Sequence, residues 1–100
     1  MTRIRIRVHE IKGTCPVFKK NDQMVFDGPE LVKDETDAYC VWASTAFLPY
    51  LLAVRYGVPA NDIGLSNVKD RYFVQCLDPG PPLTSGGTVI FEMFRENEGD

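Results

Sequence analysis

The sequence predicts a small α+β domain in which an antiparallel sheet of three to four strands packs on one main helix. The segment 37–57 has apolar residues at helical spacing, while segments on both sides of it alternate apolar and polar residues as half-buried strands do. A chain of 100 residues, 44% of them hydrophobic, suits a single domain over 1–100 with one modest core.

The first two strands are predicted at 3–11 and 23–27. In the segment RIRIRVHEI, apolar residues point to one face and arginines to the other. The second strand, QMVFD, ends at a Gly-Pro pair. We expect residues 30–36 to form a loop that leads into the helix.

The main helix is predicted over 37–57. Because almost its whole circumference is apolar or small, we expect it to be buried on more than one side. Thr36 or Asp37 is the expected N-cap, and Gly57 is the expected stop. Pro49 removes one backbone donor, which allows either one kinked helix or two short helices, and we favour the kinked helix.

Two further strands are predicted at 71–77 and 88–95, on either side of a proline-rich loop at 78–87. They should pair antiparallel, with the first strand beside them. A short helical turn is expected near 61–64, and frayed chain at 96–100. Because one helix covers only one face of a sheet, Ile90 and Phe94 on the other face predict self-association as a homodimer.

Five short motifs occur in order along the chain: Gly13-Thr14-Cys15-Pro16, Cys40-Val41-Trp42-Ala43, Leu48-Pro49-Tyr50, Cys76-Leu77-Asp78-Pro79 and Val89-Ile90-Phe91-Glu92. This order resembles a family of short, functionally uncharacterised prokaryotic proteins with the pattern Gly-x-Cys-Pro, Cys-x-Trp-Ala, Leu-Pro-Tyr, Cys-x-Asp-Pro and Val-x-Phe-Glu. Many members have a histidine after Cys-Pro, where this chain has Phe18-Lys19-Lys20. The resemblance therefore carries over no metal-binding role that depends on that histidine, and it implies no activity.

Composition argues against several classes of function. The formal net charge of −3 disfavours a nucleic-acid binder, and the chain has no apolar run of membrane-spanning length. The N-terminal stretch lacks a signal pattern, and three widely spaced cysteines without a Cys-x-x-Cys pair favour reduced thiols in the cytoplasm. No closely spaced pair of ligands occurs, so we expect no metal and no cofactor.

The sequence contains no recognisable catalytic constellation. The ligand-binding candidates are Cys15, Cys40, Trp42, Cys76 and Asp78. The cysteines lie at the ends of predicted elements, so they either converge in a shared site or are small buried hydrophobes. Trp42 either lines a pocket or packs in the core. We favour the core, and so expect Trp42→Ala to cost about 3–5 kcal/mol.

Arg3, Arg5 and Arg7 are the interaction candidates, either paired across strands with Glu92 or Glu96 or available to an acidic partner or a second chain. The stiff loop at 78–87 is either a recognition element or a plain connection. The predicted function is a small cytoplasmic binding or accessory module with a possible protein partner. The alternative is a small-ligand or thiol-based enzyme site built around the three cysteines.

Overall fold

The computed structural model describes residues 2–97. It has a five-stranded antiparallel sheet with the strand order β3-β2-β1-β5-β4. The strands are β1 (Thr2–Lys12), β2 (Gln23–Asp27), β3 (Glu30–Leu31), β4 (Tyr72–Gln75) and β5 (Thr88–Asn97). The predicted α+β class is confirmed. The strand count exceeds the predicted three to four because β3 forms inside the segment that was expected to be a loop.

The long central pair, β1 and β5, builds the floor of the core. Ile6 lies opposite Met93, and Val8 lies opposite Phe91. All four side chains are fully buried. The alternation predicted for both strands is confirmed, and it places the arginines of β1 on the opposite face together with Phe94.

The helical region runs from Val41 to Arg55 and consists of α1 (Val41–Phe47), a 3-10 turn (Leu48–Tyr50) and α2 (Leu51–Arg55). The favoured kinked helix is confirmed, with the 3-10 turn at Pro49, where a regular backbone hydrogen bond cannot form. The predicted stop is also confirmed. Gly57 has φ +71°, and Val58 N–H donates to the carbonyl of Ala53 at 3.0 Å.

The predicted start of the helix was wrong. Cys40, rather than Thr36 or Asp37, is the N-cap residue. Thr36 Oγ1 instead accepts the N–H of Val25 at 3.2 Å, and Asp37 Oδ2 accepts the N–H of Gln23 at 2.9 Å. The chain before the helix follows the edge of β2, so these two side chains cap a strand edge instead of a helix.

The expectation that the helix is buried on more than one side was also wrong. Phe47 and Val54 are fully buried against the sheet. The outer side chains are exposed: Val41 by 73%, Trp42 by 79%, Leu52 by 68% and Tyr56 by 72%. The described chain forms two layers, and no further element lies over the helix.

The remaining local predictions gave mixed results. A 3-10 turn occupies Ala60–Ile63, as expected. The expected fraying at 96–100 does not begin at 96, because β5 continues to Asn97, and positions 98–100 lie outside the described residues. Within residues 2–97, no helix has the length and apolar character needed to cross a membrane.

Candidate functional site

Three cysteines that are distant in sequence contribute to the wall of one cavity of about 300 Å³. Trp42 and Asp78 line the same cavity, so all five predicted ligand-binding candidates lie together. The rest of the wall is mostly apolar: Pro16, Val17, Phe18, Ala43, Leu77, Gly86, Gly87 and Val89. The cysteines are free and half-buried, so they form part of an accessible wall rather than of the closed core.

A close approach of two loops brings Cys15 and Cys76 to the same place. Gly13 has φ +89°, and a Cβ atom there would lie 2.9 Å from Cα of Gly86 and from N of Gly87. The carbonyl of Gly87 in turn accepts the S–H of Cys76 at 3.4 Å. Larger residues at these positions would push the two loops apart, so the glycines are needed to close the cavity wall.

The three sulfur atoms differ in their surroundings. Sγ of Cys15 accepts the N–H groups of Val17 and Phe18, each at 3.4 Å. Sγ of Cys76 accepts the N–H of Val89 at 3.2 Å. Cys40 lies at the start of α1. Backbone contacts thus fix two of the thiols in place before any ligand arrives.

Asp78 has a structural task beside the cavity. Its Oδ1 accepts the N–H of Gly80 at 2.8 Å and also the hydroxyl of Thr84. Its carbonyl accepts the hydroxyl of Thr88 at 2.7 Å. The loop at 78–87 is therefore held in shape by one carboxylate, which makes this side of the cavity stiff.

The wall of this cavity offers mostly apolar contacts, together with a few polar groups. The wall contains one ionisable carboxylate and three thiols but no histidine among the described residues. His9 instead lies edge-on to Phe73, with ring centroids 5.2 Å apart. Within residues 2–97, no group of three His, Cys, Asp or Glu side chains is arranged to hold a metal ion.

The predicted arginine row lies on the sheet face away from the helix and is paired within the chain. The partners are Glu35 for Arg3 at 2.7 Å, Glu96 for Arg5 at 2.8 Å and Glu92 for Arg7 at 2.6 Å. The hydrogen bond from Arg5 and its charge hold the pKa of Glu96 below its ordinary value. That same hydrogen bond, together with the charge of Glu96, raises the pKa of Arg5.

These ion pairs change the basis for the predicted homodimer. Arg71 stacks over Phe94 with its guanidinium carbon 4.2 Å from the ring centroid, and Arg7 lies 5.7 Å from it. The cross-strand pairing of the arginines with Glu92 and Glu96 occurs within the chain, so this face is already partly covered. The homodimer stays a prediction, while Trp42 and Leu52 on the helix and Leu77 at the cavity are among the most exposed apolar side chains.

The fold and the cavity define a small α+β protein with one apolar, thiol-lined cavity beside an exposed tryptophan. No protein-family model, no curated protein and no solved structure matches this chain. The family resemblance therefore stays a prediction.

Several wall residues were not among the sequence-based candidates. Val17 and Leu77 line the cavity and are exposed by 40% and 67%. The sequence signal at this wall is the Gly86-Gly87 pair, which marks a place where another backbone comes close. The sequence does not say which backbone that is, so Gly13 was not recognised as its counterpart.

Proposed function

We propose that this protein is a small cytoplasmic binding module that accepts an apolar side chain of a partner protein in the cavity lined by Cys15, Cys40 and Cys76. The convergence of the three thiols with Trp42 and Asp78 on one preformed cavity carries this proposal. The free thiols support the cytoplasmic location, because that compartment keeps cysteines reduced.

The exposed side chains at the cavity supply the driving force. Trp42 is 79% exposed, and covering it would remove on the order of 150–200 Å² of surface from water. That burial is worth about 4–5 kcal/mol before the cost of association. A large exposed aromatic next to an apolar pocket is typical of the energetic centre of a protein interface.

Trp42 is also the reporter for the test, because it is the single tryptophan of the chain. The uncharged apolar dye N-phenyl-1-naphthylamine should bind and receive excitation energy from Trp42. Leu77→Ala, which enlarges and flattens the cavity mouth, should weaken dye binding about fivefold or more. Leu83→Ala is the matched control, because Leu83 is 80% exposed and is not part of the cavity wall.

Two outcomes of the dye-binding experiment would contradict the proposal. Equal dye binding by wild type, Leu77→Ala and Leu83→Ala, or binding without energy transfer from Trp42, would mean that the cavity takes no apolar group. Melting curves of both variants should resemble that of the wild type, since both leucines are mostly exposed.

A thiol-based site is the second candidate function. One observation favours it: Sγ of Cys15 accepts two backbone N–H groups within a cavity that also contains Cys40 and Cys76. Backbone donors directed at a sulfur are found at reactive thiols as well as at structural ones. The rate of thiol alkylation distinguishes the two functions.

A further inference from the structure

We propose that the partner is an extended peptide segment that adds as a strand to the sheet edge at 75–77, with one apolar side chain in the thiol-lined cavity. This inference rests on the proposed binding function and specifies the class of partner. The helical region, the edge of the sheet and two outward-facing backbone N–H groups on that edge define where the segment lies.

The free backbone groups lie at the end of β4, the last strand of the sheet, and in the residues that follow it. Cys76 N–H donates to a carbonyl of β5 at 2.9 Å. Because backbone groups alternate in direction along a strand, the N–H groups of Gln75 and Leu77 point away from β5. Phe73, which has the same orientation, donates its N–H to Leu65 at 2.9 Å. Within residues 2–97, no turn or loop hydrogen bond engages the N–H of Leu77, and the alternation of the ladder directs the N–H of Gln75 away from β5.

A second depression, of about 520 Å³, lies next to the cavity along this edge, with Gln75 in its wall and Cys76 in the wall of the cavity. One wall of both depressions is the helical region, with Trp42 and Ala43 at the cavity and Thr45, Ala46, Pro49 and Tyr50 beyond it. The other wall is the strand edge, from Phe73 to Asp78. At about 3.4 Å per residue, this edge is as long as a short strand. An edge strand beside a helix, with pockets between them, is the geometry that proteins use to bind extended peptides.

The charges that line the two depressions indicate which residue types the peptide should contain. Among the described residues that line the two depressions, Asp78 is the one with a charged side chain. The segment that fits is therefore apolar and uncharged along the edge, with a basic residue at the end nearest Asp78. A second copy of this chain fits less well. If two copies related by a two-fold axis paired Gln75 of one with Leu77 of the other, the uncharged Val74 would lie opposite Asp78.

The test uses peptides of about ten residues, a length that spans the edge, selected from a random display library against the folded protein. The tightest peptide is synthesised, and its Kd is measured by fluorescence anisotropy. Gln75→Pro removes one N–H that points away from β5 and so leaves the ladder intact, whereas Gln75→Ala keeps that N–H. We expect affinity for the peptide to be about tenfold lower with Gln75→Pro than with Gln75→Ala, since both remove the glutamine side chain and only the first removes the N–H.

A second measurement does not depend on the folding of any variant. N-methylation of alternate peptide amides should abolish binding for the set that faces the edge of β4 and should be tolerated for the other set. The selected sequences should share an apolar residue and a neighbouring lysine or arginine.

Four results would overturn strand addition: no selected peptide, equal affinity for Gln75→Pro and Gln75→Ala, indifference to N-methylation, or a wild-type dimer in light scattering that Gln75→Pro dissociates. A peptide that is weakened by Leu77→Ala but not by edge changes overturns this inference alone. A peptide whose affinity changes neither with the edge changes nor with Leu77→Ala counts against the proposed cavity function also.

Discussion

The aromatic residue that the helical region buries against the sheet is Phe47 and not Trp42, for which the sequence favours the core. Phe47 is fully buried, whereas Trp42 is 79% exposed. We therefore expect Phe47→Ala to destabilise the domain severely and Trp42→Ala to have a small effect on stability. This expectation replaces the large cost first predicted for Trp42→Ala.

The magnitudes follow from burial. The Phe47 ring centroid lies 5.4 Å from that of Phe91, 5.9 Å from that of Tyr39 and 6.3 Å from that of Phe26. Removing such a ring costs about 3–5 kcal/mol in free energy of unfolding. Trp42 has about one-fifth of roughly 250 Å² buried, which corresponds to about 1 kcal/mol. At about 4–8 °C per kcal/mol, Phe47→Ala should lower Tm by about 12 °C or more and Trp42→Ala by under about 8 °C.

Thermal unfolding followed by far-ultraviolet circular dichroism measures both variants. Tyr56→Ala is the matched control for Trp42→Ala, because Tyr56 is exposed by 72% and lies outside the cavity wall. If Phe47→Ala does not fold, Phe47→Leu should fold with a smaller loss. A Phe47→Ala protein that melts within a few degrees of wild type, or a Trp42→Ala protein that does not fold, would contradict the packing described above.

The remaining predictions concern the ion pairs and the thiols. The hydrogen bond from Arg5 lowers the pKa of Glu96 below its ordinary value of about 4.5 in the folded protein. The ion pair therefore stabilises the folded protein at pH values above the pKa that Glu96 has in the unfolded chain. This stabilisation is lost as the pH falls through the lower pKa of the folded protein. The urea-unfolding free energy of wild type should therefore exceed that of Glu96→Gln at neutral pH, and the gap should close as pH falls below about 4.5; a gap independent of pH would refute the argument. If the protein is a binding module, Cys15, Cys40 and Cys76 should react with iodoacetamide about tenfold more slowly in the folded protein than in urea, as followed by mass spectrometry. One thiol that reacts faster when folded would favour the thiol-based site instead.

Local patterns in the sequence were sufficient to predict an element and its buried face wherever one side of that element is polar. In β1, isoleucines alternate with arginines, so both the strand and the face it buries follow from period two alone. The helix stop at Gly57 and the kink at Pro49 also follow from single residues, because glycine supplies the backbone freedom and proline the backbone restriction that each requires.

The tertiary structure alone decided which side of the helix meets the sheet and which distant residues form the site. Nearly every side chain of the helical region is apolar or small, so its periodicity cannot rank Phe47 over Trp42 as the buried residue. That choice depends on the shape of the sheet surface into which each side chain packs. Cys15 and Cys76 converge because Gly13 admits the backbone at Gly86-Gly87, a contact between positions far apart in the chain that no local pattern encodes.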